Sequence, residues 1–319
     1  MKHIVKQITQ HISTMTPNTG IIICGPTASG KSKLAMDIAK DVNSNIINID
    51  DMQCYKDLPI LSDQPSFEDA KMVQHSLYGE LEYNQKNTIA KYLKRLESHI
   101  NLPTLENKRP IIVGGSGFYI QSLLSGMSPV PDIDDPKIKE FVQNLSLKHP
   151  KELYKVVRSV DQLSKIEEND LFRLERSYSV FLQTGKPFSH WLTVPKVKVL
   201  KEWKFLLIII DLDNKIIENN ISKRLLQIIK KPQLLDEVRI LNEEHYDAIR
   251  QPISKTIGFK DCVDFSNCKI NLKTLYKNIR SDTIKYAKRQ LTWNRHQFKN
   301  YDYKMSITLT EDNLENNYG

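Results

Sequence analysis

The chain has 319 residues, enough for about two domains with a sizeable core and too many for a small disulfide-stabilised protein. Its 40% hydrophobic and 26% charged residues are typical of globular proteins and exclude a disordered or fibrous chain. Lysine and arginine number 46 against 38 aspartate and glutamate. The resulting net charge of +8 is consistent with a polyanionic partner such as nucleic acid.

Two apolar features bear on location. Residues 1–20 contain no continuous apolar run, so they do not resemble a secretory signal peptide. The longest apolar run, Phe205–Ile210, is far too short to span a bilayer. We therefore expect a soluble cytoplasmic protein.

The first part of the chain alternates strand and helix patterns. Short apolar runs end at glycine or aspartate, and residues with helical spacing follow them. The predicted strands are Ile21–Cys24, Asn45–Ile49 and Pro110–Val113, and the predicted helices are Lys31–Lys40, Thr88–Ile100 and Phe118–Leu124. This alternation predicts a mostly parallel sheet that helices cover on both faces.

The pattern changes after Gly126, where several prolines precede polar helical segments that lack a strand signal. These predicted helices are Asp135–Leu145, Pro150–Val157 and Asn169–Thr184. Trp203–Asp211 then returns as one more buried strand, before predicted helices at Ile216–Ile229, Leu234–Glu244 and Leu272–Lys299. We therefore expect a core formed by residues 1–128 and 196–319, with a helical insertion domain at 129–195.

A phosphate-binding motif lies between the first strand and helix. The sequence GPTASGKS matches G-x-x-x-x-G-K-[ST], in which glycines let backbone N–H groups point at a phosphate. Lys31 is placed to reach a terminal phosphate oxygen, and the Ser32 hydroxyl is a candidate Mg²⁺ ligand. The candidate diphosphate-binding residues are Gly25, Pro26, Thr27, Ala28, Ser29, Gly30, Lys31 and Ser32. The motif leaves open whether the phosphate belongs to a nucleotide or to another leaving group.

Further polar residues follow the next two strands, at the edge where open α/β sheets bind ligands. Asp50 and Asp51 are candidates for holding Mg²⁺ through water or for acting as a general base, although an arbitrary Asp-Asp pair is more often a solvated turn. Beside a phosphate loop we favour a functional role for at least one. Gly114–Gly117 (GGSG) reaches the same edge, but a plain strand-to-helix turn explains this motif equally well on local grounds.

The positive charge is concentrated near the C-terminus. Segment Lys269–Met305 carries ten lysines and arginines against two aspartates, so it accounts for the whole net charge of the chain. Several basic residues recur on one helical face: Lys285, Lys288, Arg289, Arg295 and Lys299. We favour a nucleic-acid footprint over a solvated surface for this face, and core packing over base stacking for the interleaved aromatic residues.

Together these motifs resemble the tRNA dimethylallyltransferase family, also called tRNA isopentenyltransferase or IPP transferase. In chain order the resemblance rests on Gly25–Ser32, Asp50–Tyr55 (DDMQCY), Val113–Tyr119 (VGGSGFY), Thr184–Pro187 (TGKP), Ile257–Lys260 (IGFK) and Ala287–Trp293 (AKRQLTW). They span almost the whole chain, and GPTASGK and KRQ-x-TW are specific. The resemblance implies an α/β fold with a P-loop NTPase-like three-layer core, a parallel sheet and the helical insertion.

The resemblance also implies transfer of a dimethylallyl group from dimethylallyl diphosphate to the N6 amine of the adenosine 3′ of the anticodon in tRNA. Mg²⁺ is the implied cofactor, and no ATP is spent. Lys31 and Ser32 would stabilise the departing diphosphate, while Asp50 would accept the amine proton or hold the amine in line. The implied tRNA contacts are Asp50, Asp51, Met52, Gln53, Ser116, Lys139, Phe172, Arg173, Arg176, Lys255, Lys260, Lys288, Arg289, Gln290, Trp293 and Arg295. We expect the chain to act as a monomer.

The chain departs from the family pattern at several positions. A serine is replaced by Asp51, the family's TAKP motif reads Ser62–Pro65 (SDQP), and one of a histidine pair is Gln74. A glutamate is replaced by Ser179, and arginines by Asn214 and Asn220, which could weaken donor binding.

Two alternatives therefore stay open: a P-loop kinase of a nucleoside or small metabolite, and a tRNA-binding relative with impaired catalysis. The kinase hypothesis leaves the basic helix and the insertion unexplained.

Overall fold

The computed structural model describes residues 2–102, 108–299, 301 and 303–308. The chain divides into two compact units, one formed by Met1–Leu124 with Val199–Gly319 and the other by Ser125–Lys198. Within the described ranges no helix is both long and apolar enough to cross a membrane.

The first unit is built on a parallel sheet whose six described strands have the order β3-β2-β4-β1-β5-β6. The strands are β1 (Thr19–Cys24), β2 (Ile46–Asn48), β3 (His75–Ser76), β4 (Ile111–Gly114), β5 (Lys204–Asp211) and β6 (Lys304–Thr308). Ile21 on β1 lies opposite Ile111 on one side and Leu206 on the other. Because every strand runs in the same direction, the carboxyl ends of all the strands lie at one edge.

Helices of the first unit precede, connect and follow these strands. They are α1 (Lys2–Ser13), α2 (Lys31–Asp41), α3 (Phe67–Met72), α4 (Ile89–Ile100) and α5 (Gly117–Ser125), followed after the second unit by α10 (Asn214–Ile229), α11 (Gln233–Glu244), α12 (Phe259–Ser266) and α13 (Leu272–Gln297). Several begin at capping residues that the sequence shows, such as Thr88 before α4 and Asp213 before α10, whose side chains accept backbone N–H bonds.

Both faces of the sheet are buried. Ile21 and Ile23 on β1 belong to a large apolar cluster with residues of α1, α2, α10 and α13. Ile22 points to the opposite face and is also fully buried. The continuous apolar run of β1 is thus the pattern of a parallel strand covered on two sides, and the predicted α/β sheet is confirmed.

Some elements are absent from the sequence-based predictions. Helix α1 buries Val5, Ile8 and Ile12, whose spacing of three and four residues is helical although no continuous apolar run marks it. Strand β3 has only two residues, and β6 begins at the end of the basic C-terminal segment, where no continuous apolar run marks a strand. The short helices α3 and α12 are also new.

The second unit is helical. Its helices are α6 (Pro136–Lys148), α7 (Pro150–Val160), α8 (Leu171–Thr184) and α9 (Phe188–Thr193). Proline occupies the first position of α6 and α7, where its missing N–H costs no hydrogen bond. A small core joins Val142, Leu153, Val157 and Leu174. The three helices predicted between Asp135 and Thr184 are therefore present, and α9 is the addition.

Candidate active site

The phosphate-binding motif forms the turn between β1 and α2. Gly30 has a φ of 81° and precedes the first residue of α2, and Ala28 also lies in the left-handed region with a φ of 60°. Lys31 folds back so that its Nζ donates to the Pro26 carbonyl at 3.3 Å. The backbone is thus curled as a phosphate cradle requires, with the N-terminus of α2 at its base.

A glutamine from the C-terminal helix ties this loop to a second glycine-rich turn. Gln290 on α13 accepts the Thr27 N–H at 2.8 Å and donates to the Gly115 carbonyl at 3.0 Å. Gln290 is buried, and a Cβ on Gly115 would lie only 2.1 Å from its Nε2. Close approach therefore requires glycine at position 115, and both polar ends of Gln290 bind backbone.

Trp293, about one turn further along α13, lies against the same glycine-rich turn. A Cβ on Gly117 would lie 2.2 Å from Cδ1 of Trp293. The indole Nε1 of Trp293 is buried and has no hydrogen-bond partner among the described residues. The GGSG motif is therefore more than a plain strand-to-helix turn, because α13 packs directly on it.

The paired aspartates have different surroundings. Asp51 is half-buried, and its Oδ1 accepts from Asn87 Nδ2 at 2.7 Å and from the Tyr119 hydroxyl at 3.1 Å. Burial raises the pKa of Asp51, and these two hydrogen bonds oppose that rise. Its carboxylate is thus already held by the protein, and the reading of the pair as a solvated turn does not fit it.

Asp50 is oriented by its own turn. Its backbone N–H donates to the Asn48 side chain at 2.8 Å, and its Oδ1 accepts the Met52 N–H at 3.2 Å. Burial lowers the pKa of Lys31, and the negative charge of Asp50 opposes that change. Asp50 and Lys31 are therefore close enough to interact.

The loop that follows Asp50 is held against this site. Gln53 Nε2 donates to the Ser62 and Asp63 carbonyls at 3.0 and 2.7 Å. Gln64, which stands where the resemblance expects lysine, donates to the Tyr55 carbonyl at 2.7 Å. The side-chain amide of Gln53 is thus hydrogen-bonded to the protein backbone in this structure.

These elements surround a cleft of about 1030 Å³. Lys31, Ser32 and Asp50 all line it. No group of three or more His, Cys, Asp or Glu side chains in the described part of the chain is arranged to hold a metal ion by itself. The Ser32 hydroxyl and the Asp50 carboxylate are nevertheless hard oxygen donors of the kind that Mg²⁺ shares with substrate phosphates.

Similarity to known proteins identifies the family of the chain. Residues 53–297 match the family model described as IPP transferase. The chain is 36% identical to a tRNA dimethylallyltransferase of Rickettsia conorii over 92% of this chain and 80% of that protein. It belongs to the IPP transferase family. The tRNA dimethylallyltransferase of Ehrlichia chaffeensis is similar as well, at 33% identity over 94% of this chain and 98% of that one.

Solved structures agree with the IPP transferase fold. A tRNA isopentenylpyrophosphate transferase from Staphylococcus epidermidis has 28% identity and a TM-score of 0.62, over 94% of this chain and 96% of that chain. A eukaryotic dimethylallyltransferase acting on tRNA has 22% identity and a TM-score of 0.77, over 91% of this chain and 74% of that one, which shows the fold alone. The predicted family and P-loop-like α/β fold are confirmed.

Most predicted site residues of this IPP transferase meet in the cleft. They are Thr27, Ala28, Ser29, Gly30, Lys31, Ser32, Asp50, Asp51, Met52, Gln53, Ser116, Lys255, Arg289, Gln290 and Trp293. Gly25 and Pro26 begin the phosphate loop beside them. Lys260 lies on α12 and is exposed. The structure gives Gln290 a supporting contact with the loop backbone, which the sequence-based assignment to tRNA binding does not include.

The basic face of α13 is partly neutralised. Lys288 forms an ion pair with Glu218 at 2.8 Å, and Arg295 forms one with Asp211 at 2.8 Å. The Arg289 guanidinium lies 5.7 Å from the centre of the Tyr286 ring. The nucleic-acid footprint of this face stays a prediction, and acidic side chains outside the segment pair with two of its cations.

The remaining predicted tRNA contacts belong to the second unit. Lys139 on α6 is exposed, and Phe172 on α8 has 76% of its surface exposed. Arg173 pairs with Asp170 at 2.8 Å, whereas Arg176 donates to the Pro131 carbonyl at 2.7 Å. Burial lowers the pKa of Arg176. Arg176 thus supports the backbone that precedes α6, whereas Phe172 and Lys139 are exposed.

Some residues around the site are missing from those that the sequence predicts for it. Asn87 and Tyr119 hold Asp51, and Arg95 in turn donates to Asn87 at 2.7 Å. Asn220, identified above only as a departure from the family, donates to the Ala28 carbonyl at 3.1 Å. Tyr119 lines the cleft itself, whereas Asn87, Arg95 and Asn220 support it through these hydrogen bonds.

Proposed function

We propose that this chain transfers a dimethylallyl group from dimethylallyl diphosphate to the N6 amine of the adenosine 3′ of the anticodon in tRNA. The observation that carries the proposal is the placement of Lys31 in a phosphate cradle and Asp50 in one cleft, within an IPP transferase chain. This pairing supports the proposal, because the reaction needs a leaving diphosphate and a proton acceptor side by side.

The transfer balances without ATP. The bond between the allylic carbon and the diphosphate oxygen breaks, and the amine nitrogen forms a bond to that carbon. The amine proton passes to Asp50, and the electron pair of the broken bond leaves with diphosphate. Backbone N–H groups of the loop and the Lys31 ammonium group stabilise the growing negative charge on the leaving oxygen.

Mg²⁺ fits this arrangement as the cofactor. When bound, it neutralises diphosphate charge and lowers the energy of the leaving group. Ser32 at the start of α2 is the residue that would hold it, together with diphosphate oxygens and water, because Mg²⁺ prefers few protein ligands. The Ser29 hydroxyl in the same loop is buried and has no hydrogen-bond partner among the described residues.

Asp50 and Asp51 have different roles in this proposal. Asp51 is already hydrogen-bonded by Asn87 and Tyr119, so it braces the wall of the cleft. Asp50 keeps one oxygen bonded to a backbone N–H, which fixes the orientation of the carboxylate toward an acceptor amine. A stacked adenine cannot present its amine inside a protein, so the base must be flipped out of the anticodon loop, where unstacking costs little.

tRNA binding is assigned to both units. Ser116 and Lys255 line the cleft where the flipped base enters, and Arg289 lies at the same wall. In the second unit, exposed Phe172 and Lys139 offer a stacking surface and a phosphate contact. The chain has 46 lysines and arginines to supply further phosphate contacts.

One incubation separates this proposal from a kinase and from a non-catalytic relative. The protein is mixed with unmodified tRNA and Mg²⁺, with either radiolabelled dimethylallyl diphosphate or ATP labelled in its terminal phosphate. Label in tRNA from the allylic donor alone supports the proposal. Phosphate transfer from ATP, or tight tRNA binding with no transfer, would contradict it.

A further inference from the structure

One tyrosine in the wall of the cleft has no part in the transfer described above. Tyr286 lies on α13 and lines the cleft together with Asp50 and Ser116. Its side chain is half-buried. The Arg289 guanidinium lies 5.7 Å from the centre of the Tyr286 ring, within the range of a cation–π contact. The ring is therefore packed in the wall, and its hydroxyl is the group that could meet a substrate.

Helix α13 brings Tyr286 to the glycine-rich turn that Gln290 also binds. Residues four apart in a helix lie on one face, and Gln290 donates to the Gly115 carbonyl at 3.0 Å. Tyr286, one turn earlier, has a side-chain hydrogen bond with Ser116, the next residue of that turn. The Ser116 hydroxyl in turn accepts the Asp51 N–H at 3.2 Å. A chain of hydrogen bonds thus joins Tyr286 to the turn that carries the paired aspartates.

The Tyr286 hydroxyl is a proton donor in this position. Burial raises its pKa, and the negative charges of Asp50 and Asp51 raise it further. The hydrogen bond with Ser116 opposes this rise, so Ser116 donates and the Tyr286 oxygen accepts. The phenol therefore keeps its own proton at neutral pH, and that proton is available for another acceptor near the aspartates.

Adenine presents a donor and an acceptor side by side on its Watson–Crick edge. The N6 amine donates hydrogen bonds, and the neighbouring ring nitrogen N1 accepts them. Enzymes that flip a base read it by hydrogen bonds to this edge. In the proposed reaction Asp50 accepts from N6, so N1 needs a donor beside Asp50. The Tyr286 hydroxyl is such a donor and lines the same cleft.

We infer that Tyr286 is a specificity-determining residue that donates its O–H to N1 of the flipped adenine while Asp50 accepts from N6. The inference rests on the proposed function, because it names the residue that reads the acceptor base of the same reaction. Guanine reverses the pattern, with the acceptor O6 in place of the amine and a proton on N1. Its O6 would face the Asp50 carboxylate and its N1–H the Tyr286 hydroxyl, so the pair selects adenine.

The competing explanation is a tyrosine that only fills the wall of the cleft. Phenylalanine would then replace Tyr286 with the same consequence for every RNA substrate. If the hydroxyl binds N1, the consequence of that replacement depends on whether the RNA has N1. This dependence separates the two explanations.

The test combines Tyr286→Phe with single-atom changes in the RNA. Three anticodon stem-loops carry adenosine, 1-deazaadenosine or 7-deazaadenosine 3′ of the anticodon, and single-turnover prenylation is measured with Mg²⁺ and radiolabelled dimethylallyl diphosphate. We expect the loss of N1 to slow the wild-type protein about tenfold more than it slows Tyr286→Phe. A change in the reactivity of the amine itself is common to both proteins and cancels in this comparison. Equal slowing of the two proteins would overturn the inference.

Two controls fix the atom and the residue. The 7-deaza RNA keeps N1, so we expect it to slow both proteins by the same factor, and a difference confined to this RNA would overturn the assignment to N1. Tyr276→Phe removes a hydroxyl from the same helix, at a position outside the described lining of the cleft. It should leave the rate with each RNA within about twofold of wild type, and melting temperatures confirm that both variants fold.

Donor binding and the wild-type rates separate the remaining outcomes. Tyr286→Phe should bind pyrophosphate with Mg²⁺ within about twofold of wild type in calorimetric titrations, and a tenfold loss would place the hydroxyl at the donor and overturn the inference. Wild-type protein that prenylates the 1-deaza RNA as fast as the adenosine RNA would overturn it without any variant. Wild-type protein that prenylates none of the three RNAs would instead contradict the proposed function.

Discussion

Replacement of Gln290 by glutamate tests how the C-terminal helix supports the phosphate loop. The two side chains have the same shape, so the exchange changes only one hydrogen-bonding group. A carboxylate still accepts the Thr27 N–H but cannot donate to the Gly115 carbonyl, which lies 3.0 Å from Gln290 Nε2. Two oxygen atoms would then face each other inside a buried site.

The expected cost follows from this geometry. A buried carbonyl that loses its donor costs about 1–3 kcal/mol, and burial of a new charge adds to it. We expect Gln290→Glu to lower the free energy of unfolding by at least about 2 kcal/mol at pH 8, a fall in melting temperature of roughly 3 °C or more. Pyrophosphate binding should weaken too, because the added negative charge touches the loop.

The loss should depend on pH in a defined direction. A protonated carboxyl group donates to the Gly115 carbonyl and restores the lost bond. The folded variant therefore binds this proton more tightly than its unfolded chain, so its deficit relative to wild type is small near pH 5 and grows as the pH rises. Melting temperatures of both proteins, measured between pH 5 and pH 8, give this difference directly.

Gln297→Glu is the matched control. Gln297 is on the same helix and exposed, and its Oε1 accepts from Gln121 at 2.9 Å, a role that a carboxylate keeps. We expect this variant to change the melting temperature by less than about 1 °C at any of these pH values. If Gln290→Glu lowers the melting temperature no more than Gln297→Glu does at pH 8, the two hydrogen bonds of Gln290 do not support the loop and the reasoning is refuted.

Three further predictions follow from the site. Asp50→Asn should slow single-turnover transfer at least about a hundredfold with pyrophosphate affinity nearly unchanged, and full activity would exclude Asp50 as the proton acceptor. Burial raises the pKa of Glu237 to about 7, so unfolding free energy should fall as the pH rises from about 4.5 to 7, and urea titrations of Glu237→Gln should lose that slope. Lys288 and Arg295 are ion-paired with acidic side chains. In filter-binding assays, Arg289→Gln should therefore weaken tRNA binding, and reduce the dependence of binding on salt concentration, more than Lys288→Gln does. Equal effects of the two variants would contradict this ranking.

Local motifs account for what the sequence could predict. The phosphate loop and Asp50 each follow a strand, so their spacing alone places them at the carboxyl edge of the sheet. The buried run Phe205–Ile210 likewise identifies β5, which pairs with β1. Here short-range pattern and tertiary structure agree.

Contacts between distant parts of the chain account for what the sequence could not predict. Gln290 is 263 residues from Thr27, whose N–H it accepts, so no local sequence pattern predicts this hydrogen bond. By sequence alone Asp51 resembles a solvated turn residue. In the structure Asn87 and Tyr119 donate hydrogen bonds to its carboxylate. The ion pairs of the basic helix are likewise invisible in its local sequence, because the acidic partners Glu218 and Asp211 lie outside the segment.

The central claim is prenyl transfer to one adenosine, and a matched pair of anticodon stem-loops tests it most directly. The two RNAs differ only in the nucleotide 3′ of the anticodon, adenosine in one and guanosine in the other. Each is incubated with the wild-type protein, Mg²⁺ and radiolabelled dimethylallyl diphosphate, and the label in RNA and the released pyrophosphate are counted. The account predicts label in the adenosine RNA alone, with one pyrophosphate released for each group transferred. Equal labelling of both RNAs, or no labelling of either, would contradict it.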